Sequence, residues 1–153
     1  MNTSNTLKVD LYNKAQELIQ SKIEANNESL SVLKESVASE TKSTAGDKHE
    51  TGRAMMHLEQ EKVMRQLTNN QKLKSIIDRV NPEIVNETVQ LGSLVITNSI
   101  SFYVLAGLGQ MELNGQNYFV VSFQSDLVQA LKGKRKGDSL TFKGQDYTIK
   151  EIL

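Results

Sequence analysis

The chain has 153 residues, and its 18 basic and 18 acidic side chains balance to a formal charge of zero. A balanced charge gives no overall field that would draw the protein to nucleic acid or to a membrane. The lack of cysteine excludes disulfides and thiolate chemistry, and two histidines argue against a structural zinc site. No apolar run reaches the roughly 20 residues of a membrane span, and the polar start lacks the layout of a signal peptide, so we expect a soluble, cytoplasmic protein.

Two long helices are predicted in the first half of the chain. Apolar residues recur at alternating steps of three and four, the pattern of helices packed along one seam, over residues 6–39 and again from Met56 to Val80. The first seam contains Tyr12, Ile19, Ile23, Leu30, Leu33 and Val37, with Gln16 and Asn26 at its polar positions; the second contains Met56, Val63, Leu67, Leu73, Ile77 and Val80. Asn26 either fixes the register or is a tolerated imperfection, and the methionines at 55, 56 and 64 are predicted to fill the seam.

The connection between the helices carries the candidate site. If the second helix begins near Asp47, Asp47 and Glu50 lie on one face of its first turn, close enough for both carboxylates to reach one cation. The same spacing is close to a capping box, in which both side chains bond free backbone N–H groups. Spacing alone leaves both interpretations open. Basic residues near this tip, Lys42, Lys48 and Arg53, either contact a phosphate backbone or belong to a solvated helix end.

The second half predicts a small α+β domain on an antiparallel sheet. The Asn81-Pro82 pair ends the second helix, and residues 81–87 are predicted as a linker between a hairpin domain at 1–80 and a domain at 88–153. Strands are predicted at Ser93–Thr97, Phe102–Ala106, Tyr118–Phe123, Ser139–Phe142 and Tyr147–Ile152, with turns at Asn114-Gly115, Gly137-Asp138 and Lys143-Gly144. A short helix is predicted over Asp126–Lys132, with Ser125 as its N-cap and Gly133 as its stop.

Two stretches resemble the bacterial Gre transcript cleavage factors. Residues 39–61, SETKSTAGDKHETGRAMMHLEQE, resemble the tip of that family, where Gly46, Asp47 and Glu50 match a Gly-Asp-x-x-Glu motif. Residues 130–138, ALKGKRKGD, resemble the family's Ala-Leu-Leu-Gly-Lys-x-x-Gly-Asp signature. Further similarity at 89–95 and 147–152 extends the resemblance over almost the whole chain.

The resemblance implies a function that neither motif supplies by itself. Gre factors bind RNA polymerase, insert the tip through its secondary channel and help it to cleave the 3′ end of backtracked RNA. Asp47 and Glu50 would then hold a catalytic Mg²⁺ jointly with the polymerase, and the protein would be no enzyme by itself and have no small-molecule substrate. An FKBP-like C-terminal domain would dock on the polymerase through Ser125, Gly133, Lys134, Gly137 and Asp138; isomerase activity does not follow from such a fold.

The chain departs from the family pattern at the tip. Thr51-Gly52-Arg53-Ala54 stands where Asn-Ala-Glu-Tyr is usual, which removes an acid and an aromatic residue, and Ser125-Asp126 replaces a Ser-Pro pair. The tip departure motivates a second hypothesis, a regulator that occupies the polymerase channel without stimulating cleavage. A third hypothesis is a coiled-coil adaptor in which the acid pair is only a helix cap.

Overall fold

The structure, a computed structural model, describes the backbone of residues 3–41 and 46–153 and the side chains of residues 6–39 and 50–153. The chain packs as two compact units, which we call the sheet unit, Met1–Gln16 with Ser75–Leu153, and the hairpin unit, Glu17–Lys74. These units group residues by their packing, whereas the domain ranges 1–80, 81–87 and 88–153 are ranges along the chain and stay a prediction.

Two long helices form the predicted hairpin. Helix α1 runs over Thr3–Thr41 and helix α2 over Gly46–Asp78. In the hairpin unit, Asn26 of α1 accepts a hydrogen bond from Asn70 Nδ2 at 2.7 Å and donates from its own Nδ2 to Gln66 at 3.3 Å. In the sheet unit, the earlier residues Tyr12 and Gln16 of α1 bond to Ile77 and Asp78 of α2. Partners late in α2 therefore meet residues early in α1, so the helices are antiparallel.

The predicted seam is confirmed, with one correction. All the predicted seam residues of both helices are buried or half-buried, and most of the positions between them are exposed. Among the methionines, Met56 is half-buried, but Met55 and Met64 are 66% and 49% exposed. The prediction that all three fill the seam was wrong for these two because they lie outside the three-and-four spacing that Met56, Val63 and Leu67 follow.

The sheet unit holds a six-stranded sheet and one short helix, which confirms the α+β class. The strands are β1 Leu94–Thr97, β2 Ser101–Val104, β3 Gly109–Leu113, β4 Gln116–Val121, β5 Ser139–Phe142 and β6 Gln145–Ile152, in the spatial order β3-β4-β2-β1-β6-β5. Helix α3 spans Asp126–Leu131 and follows β4. All the pairs are antiparallel except β2 with β4, which are parallel.

The sequence predicted five of these strands and missed β3. Its residues, Gly-Gln-Met-Glu-Leu, have none of the β-branched or aromatic side chains that identify a strand. The hairpin turn after it was predicted: Asn114 and Gly115 have φ angles of 52° and 78°, as a tight turn with two left-handed residues requires. The turn residues Asn114 and Gly115 therefore indicated a strand on each side of the turn, whereas the strand residues themselves indicated only β4.

Each face of the sheet is covered by a different helix. Helix α3 covers one face, where a cluster of buried apolar residues contains Val89, Val95, Phe102, Val104, Val128, Leu131, Ile149 and Ile152. The alternate residues Leu94 and Tyr103 are fully buried on the opposite face. There Tyr103 lies beside Tyr12 of α1, and Lys14 Nζ donates to the backbone carbonyl of Glu112 in β3. The first turns of α1 are therefore part of the core of the sheet unit.

Candidate functional site

The acid pair lies in the first turns of α2. The helix begins at Gly46, one residue before the predicted start, so Asp47 and Glu50 are its second and fifth residues. Helical backbone places residues three apart on the same face, as the metal-site interpretation requires. The Glu50 side chain is exposed. The side chains of Asp47 and Lys48, and the whole of Lys42, lie outside the described residues.

Within the described side chains, no group of three or more His, Asp or Glu residues could hold a metal ion. The two carboxylates predicted at the tip, Asp47 and Glu50, are hard oxygen ligands of the kind that Mg²⁺ prefers, and their role as its donors stays a prediction. Mg²⁺ needs near-octahedral coordination and keeps several waters when a protein offers only one or two carboxylates. The donor set fits an ion that is shared with a partner and does not fit a tight site of this chain alone.

Arg53 takes up a position that the sequence did not predict. Its side chain is half-buried, and its Nε atom is buried with no hydrogen-bond partner in the part of the chain that the structure describes. Arg53 precedes Met56 by three residues and Gln60 by seven, and all three are half-buried, so Arg53 continues the seam toward the tip. The stem of this residue therefore packs along the hairpin, and only the rest of the guanidinium group is available for the predicted contact with RNA or polymerase.

The predicted docking residues build one corner of the sheet unit. Ser125 caps α3: its Oγ accepts a hydrogen bond from Val128 N at 3.4 Å. The helix ends at Leu131, one residue before the predicted end, and Gly133 follows with a φ of 81°, the left-handed conformation expected just after a helix. The Lys134 carbonyl accepts from Val89 N at 2.9 Å.

Gly137 and Asp138 complete this corner. The Asp138 side chain accepts from Arg135 N at 2.8 Å and closes the turn before β5, while Gly137 N donates to the Ile149 carbonyl at 2.8 Å. All five residues, Ser125, Gly133, Lys134, Gly137 and Asp138, therefore lie within one stretch, residues 125–138, which runs from the N-cap of α3 to the residue before β5. The cap, the left-handed φ angles and the turn account for the residue types of Ser125, Gly133, Gly137 and Asp138, whereas Lys134 contributes backbone contacts that any residue could make. A docking role for all five stays a prediction.

Lys8 is a buried cation that the sequence reasoning missed. It is 1% exposed, and its Nζ donates to the Ile84 carbonyl at 2.6 Å, which ties α1 to the segment after α2. Burial lowers the pKa of Lys8 from 10.5 to about 8, because a dry environment disfavours the ammonium form. Lys8 precedes the seam residue Tyr12 by four residues and so lies on the same face of α1, and this spacing is the feature of the sequence that could have predicted its burial.

Tyr103 is a second buried polar group near the same helix. Its hydroxyl is buried and has no hydrogen-bond partner among the described residues. Burial, with a smaller contribution from the neighbouring Tyr12, raises the pKa of Tyr103 well above its usual value. The hydroxyl therefore stays protonated at neutral pH and offers no ready base for catalysis.

Comparisons with protein-family models, with curated proteins and with solved structures gave no match. Within the described residues, no helix combines the length and the apolar character needed to cross a membrane. The class of protein that the fold itself defines is an α+β protein with a long helical hairpin.

Proposed function

We propose that this protein is a transcription elongation factor of the Gre type, which binds RNA polymerase and stimulates the polymerase to cleave backtracked RNA. The observation that carries the proposal is the hairpin. Its returning helix begins at Gly46, so the Gly-Asp-x-x-Glu motif occupies the start of α2. The second signature, residues 130–138, forms a corner of the sheet unit. An acidic motif at the turn of a hairpin and a separate sheet-based docking corner are the two features that such a factor needs.

The length of the helices supports a function based on reach. Helix α1 has 39 residues, which at 1.5 Å per residue span about 58 Å. Residues 17–74 pack as a unit of their own, and those of them that the structure describes, 17–41 and 46–74, contribute no strand to the sheet. The sheet unit does not need a hairpin of this length to close its core. The length suits a protein that inserts a few residues at the hairpin tip into a narrow channel.

The chemistry at the tip is that of a ligand donor. Asp47 and Glu50 would bind one face of a Mg²⁺ ion whose other ligands come from polymerase and RNA. The bound ion supplies Lewis-acid activation of the attacking water. This chain orients two carboxylates and adds negative charge where the polymerase site can use it. In isolation it should hydrolyse nothing, because an exposed acid pair has no substrate pocket and no surrounding groups to fix its geometry.

Arg53 favours a second candidate function, a channel regulator that does not stimulate cleavage. Arg53 stands where the family usually has a glutamate near the tip, and its side chain packs into the hairpin seam. A guanidinium group one helical turn from Glu50 partly offsets the charge of the acid pair. Such a tip would fill a channel and attract a cation more weakly than an uncompensated pair.

A cleavage assay on stalled polymerase complexes distinguishes these functions. Complexes that carry 3′-backtracked, 5′-labelled RNA are incubated with Mg²⁺, with and without the protein, and polymerase binding is measured in parallel by co-sedimentation. Binding with faster RNA shortening supports the proposal. Binding without faster shortening supports the channel regulator, and no binding to polymerase overturns both.

A further inference from the structure

A groove in the sheet unit lies beside the predicted docking residues and contains none of them. Its volume is about 420 Å³, at the low end of the range for ligand pockets, and it is lined by Val85, Asn86, Glu87, Arg135, Lys136 and Ile152. We call this surface the 85–136 groove.

The walls of the groove are held by backbone hydrogen bonds. Val89 N donates to the Lys134 carbonyl and Gly133 N to the Val89 carbonyl, both at 2.9 Å, and Thr88 forms a β-bridge with Arg135. Asn86 is 8% exposed, and its side-chain amide donates to the carbonyls of Gly92 and Leu153 at 3.2 and 3.3 Å. The segments 85–89 and 133–136 are therefore already held against each other in the free protein, and binding would require little reorganisation.

Apolar surface and positive charge meet in this groove. Val85 is 71% exposed, and the preceding Ile84 is 57% exposed, so together they form an uncovered apolar edge. Arg135 lies 3.8 Å from Glu87 and Lys136 lies 3.4 Å from Glu151, and the side chains of both basic residues remain 67% exposed. Ion pairs this exposed contribute only about 0–1 kcal/mol each, so a ligand carboxylate can replace either acid at little cost.

We propose that the 85–136 groove binds a short acidic segment of a partner protein, with an apolar side chain against Val85 and carboxylates on Arg135 and Lys136. A protein segment fits better than a nucleic acid because the lining offers the exposed apolar side chain of Val85 and has no aromatic side chain on which a base could stack. The inference does not depend on polymerase binding by this chain.

The test uses the full chain, labelled with ¹⁵N, and a short acetylated and amidated peptide in which two leucines are flanked by aspartates. We expect saturable shifts of the backbone amides of Val85, Glu87, Arg135 and Lys136. The double substitution Arg135→Gln with Lys136→Gln should weaken binding by about tenfold or more, equivalent to about 1.4 kcal/mol. Val85→Ser should weaken it by several-fold. The matched control Lys143→Gln with Lys150→Gln removes two exposed lysines outside the groove and should leave the affinity within about twofold.

Four outcomes would overturn the proposal. Two concern the shifts: none that saturate at millimolar peptide, or shifts centred on another surface. The third is an equal loss of affinity in the groove variants and the control variant. The fourth is that a single-stranded oligothymidylate binds the same groove more tightly than the peptide does. An unchanged amide spectrum outside the substituted sites shows that each variant is folded, so a loss of binding cannot come from unfolding.

Discussion

Lys8 makes the stability of the protein depend on pH in an unusual direction. Its pKa is about 8 in the folded protein against 10.5 for a free lysine, so between these values the unfolded chain holds a proton that the folded chain has released. Stability rises with pH wherever the unfolded state binds more protons. The penalty for burying the ammonium group is therefore full below pH 8 and is relieved as the pH rises.

We predict that the free energy of unfolding rises by about 2 kcal/mol between pH 8 and pH 10 through this residue, since one pKa unit corresponds to about 1.4 kcal/mol. Urea unfolding at several pH values measures it. Lys8→Met should remove the rise, and the control Lys22→Met, at an exposed position of the same helix, should keep it. The same slope in parent and Lys8→Met would contradict the assignment. The measurement stops at pH 10, because above it the raised pKa of Tyr103 makes the free energy of unfolding fall with pH.

Residue-scale features were the hardest to predict from the sequence. Lys8 and Arg53 both have the spacing of seam residues, but a charged side chain is expected to be exposed. Whether it is buried depends on whether the facing surface supplies a hydrogen-bond acceptor. For Lys8 this acceptor is the carbonyl of Ile84, 76 residues away in the sequence. The roles of Gly133 and Ser125, by contrast, were predictable because helix caps depend on neighbours in the sequence.

At the scale of the helices, the Asn26–Asn70 pair is a polar layer in an otherwise largely apolar seam. The two amides share a hydrogen bond of 2.7 Å, and Gln66 accepts a second at 3.3 Å. Both asparagines are half-buried. The sequence indicated Asn26 as a polar seam position, but its partner is found only once the two helices are aligned.

We predict that Asn26→Leu alone destabilises the protein by about 1–2 kcal/mol, because it leaves the Asn70 amide facing an apolar side chain. The double variant Asn26→Leu with Asn70→Leu should recover that loss or exceed the parent stability, because both polar partners are removed together. Thermal unfolding of the parent, both single variants and the double variant gives the four stabilities of a double-mutant cycle. Additive losses in the double variant would show that the two residues do not interact.

The heptad pattern predicted the hairpin well, since a seam spacing that repeats over about seven turns in each helix has few alternatives. The sheet was predicted less completely. Strand β3 lies at the edge of the sheet and pairs only with β4, and its residues carry little strand preference. The parallel pairing of β2 with β4 depends on this extra strand, so it too could not be predicted.

For the whole molecule, the base of the hairpin and the sheet share one core. Leu11, Ala15 and Ile77 are fully buried within the same compact unit as Leu94 and Tyr103. A fragment that begins at residue 88 would lack both helices and expose the sheet face that carries Tyr103.

We predict that residues 88–153 expressed alone unfold at least about 10 °C below the full chain and bind a hydrophobic dye, because removing the helices uncovers apolar area worth several kcal/mol. Circular dichroism and dye fluorescence measure these effects. The full chain with Asp47→Asn is the control, since that change leaves the core intact. A fragment as stable as the full chain would show that the predicted boundary at residue 88 is a folding boundary.

The negative charges of Asp47 and Glu50 are needed to bind a metal ion and are not needed to cap a helix. Asparagine caps a helix about as well as aspartate, and glutamine can replace glutamate in a capping box, so Asp47→Asn with Glu50→Gln should leave the hairpin folded. Each change removes a negative charge that Mg²⁺ requires from a hard oxygen ligand.

The deciding measurement is the rate of RNA cleavage in stalled, backtracked polymerase complexes with the parent and with this double variant. The proposal predicts that the variant still binds polymerase, loses most of the stimulation and is partly rescued by raised Mg²⁺. Full stimulation of cleavage by the double variant would contradict it.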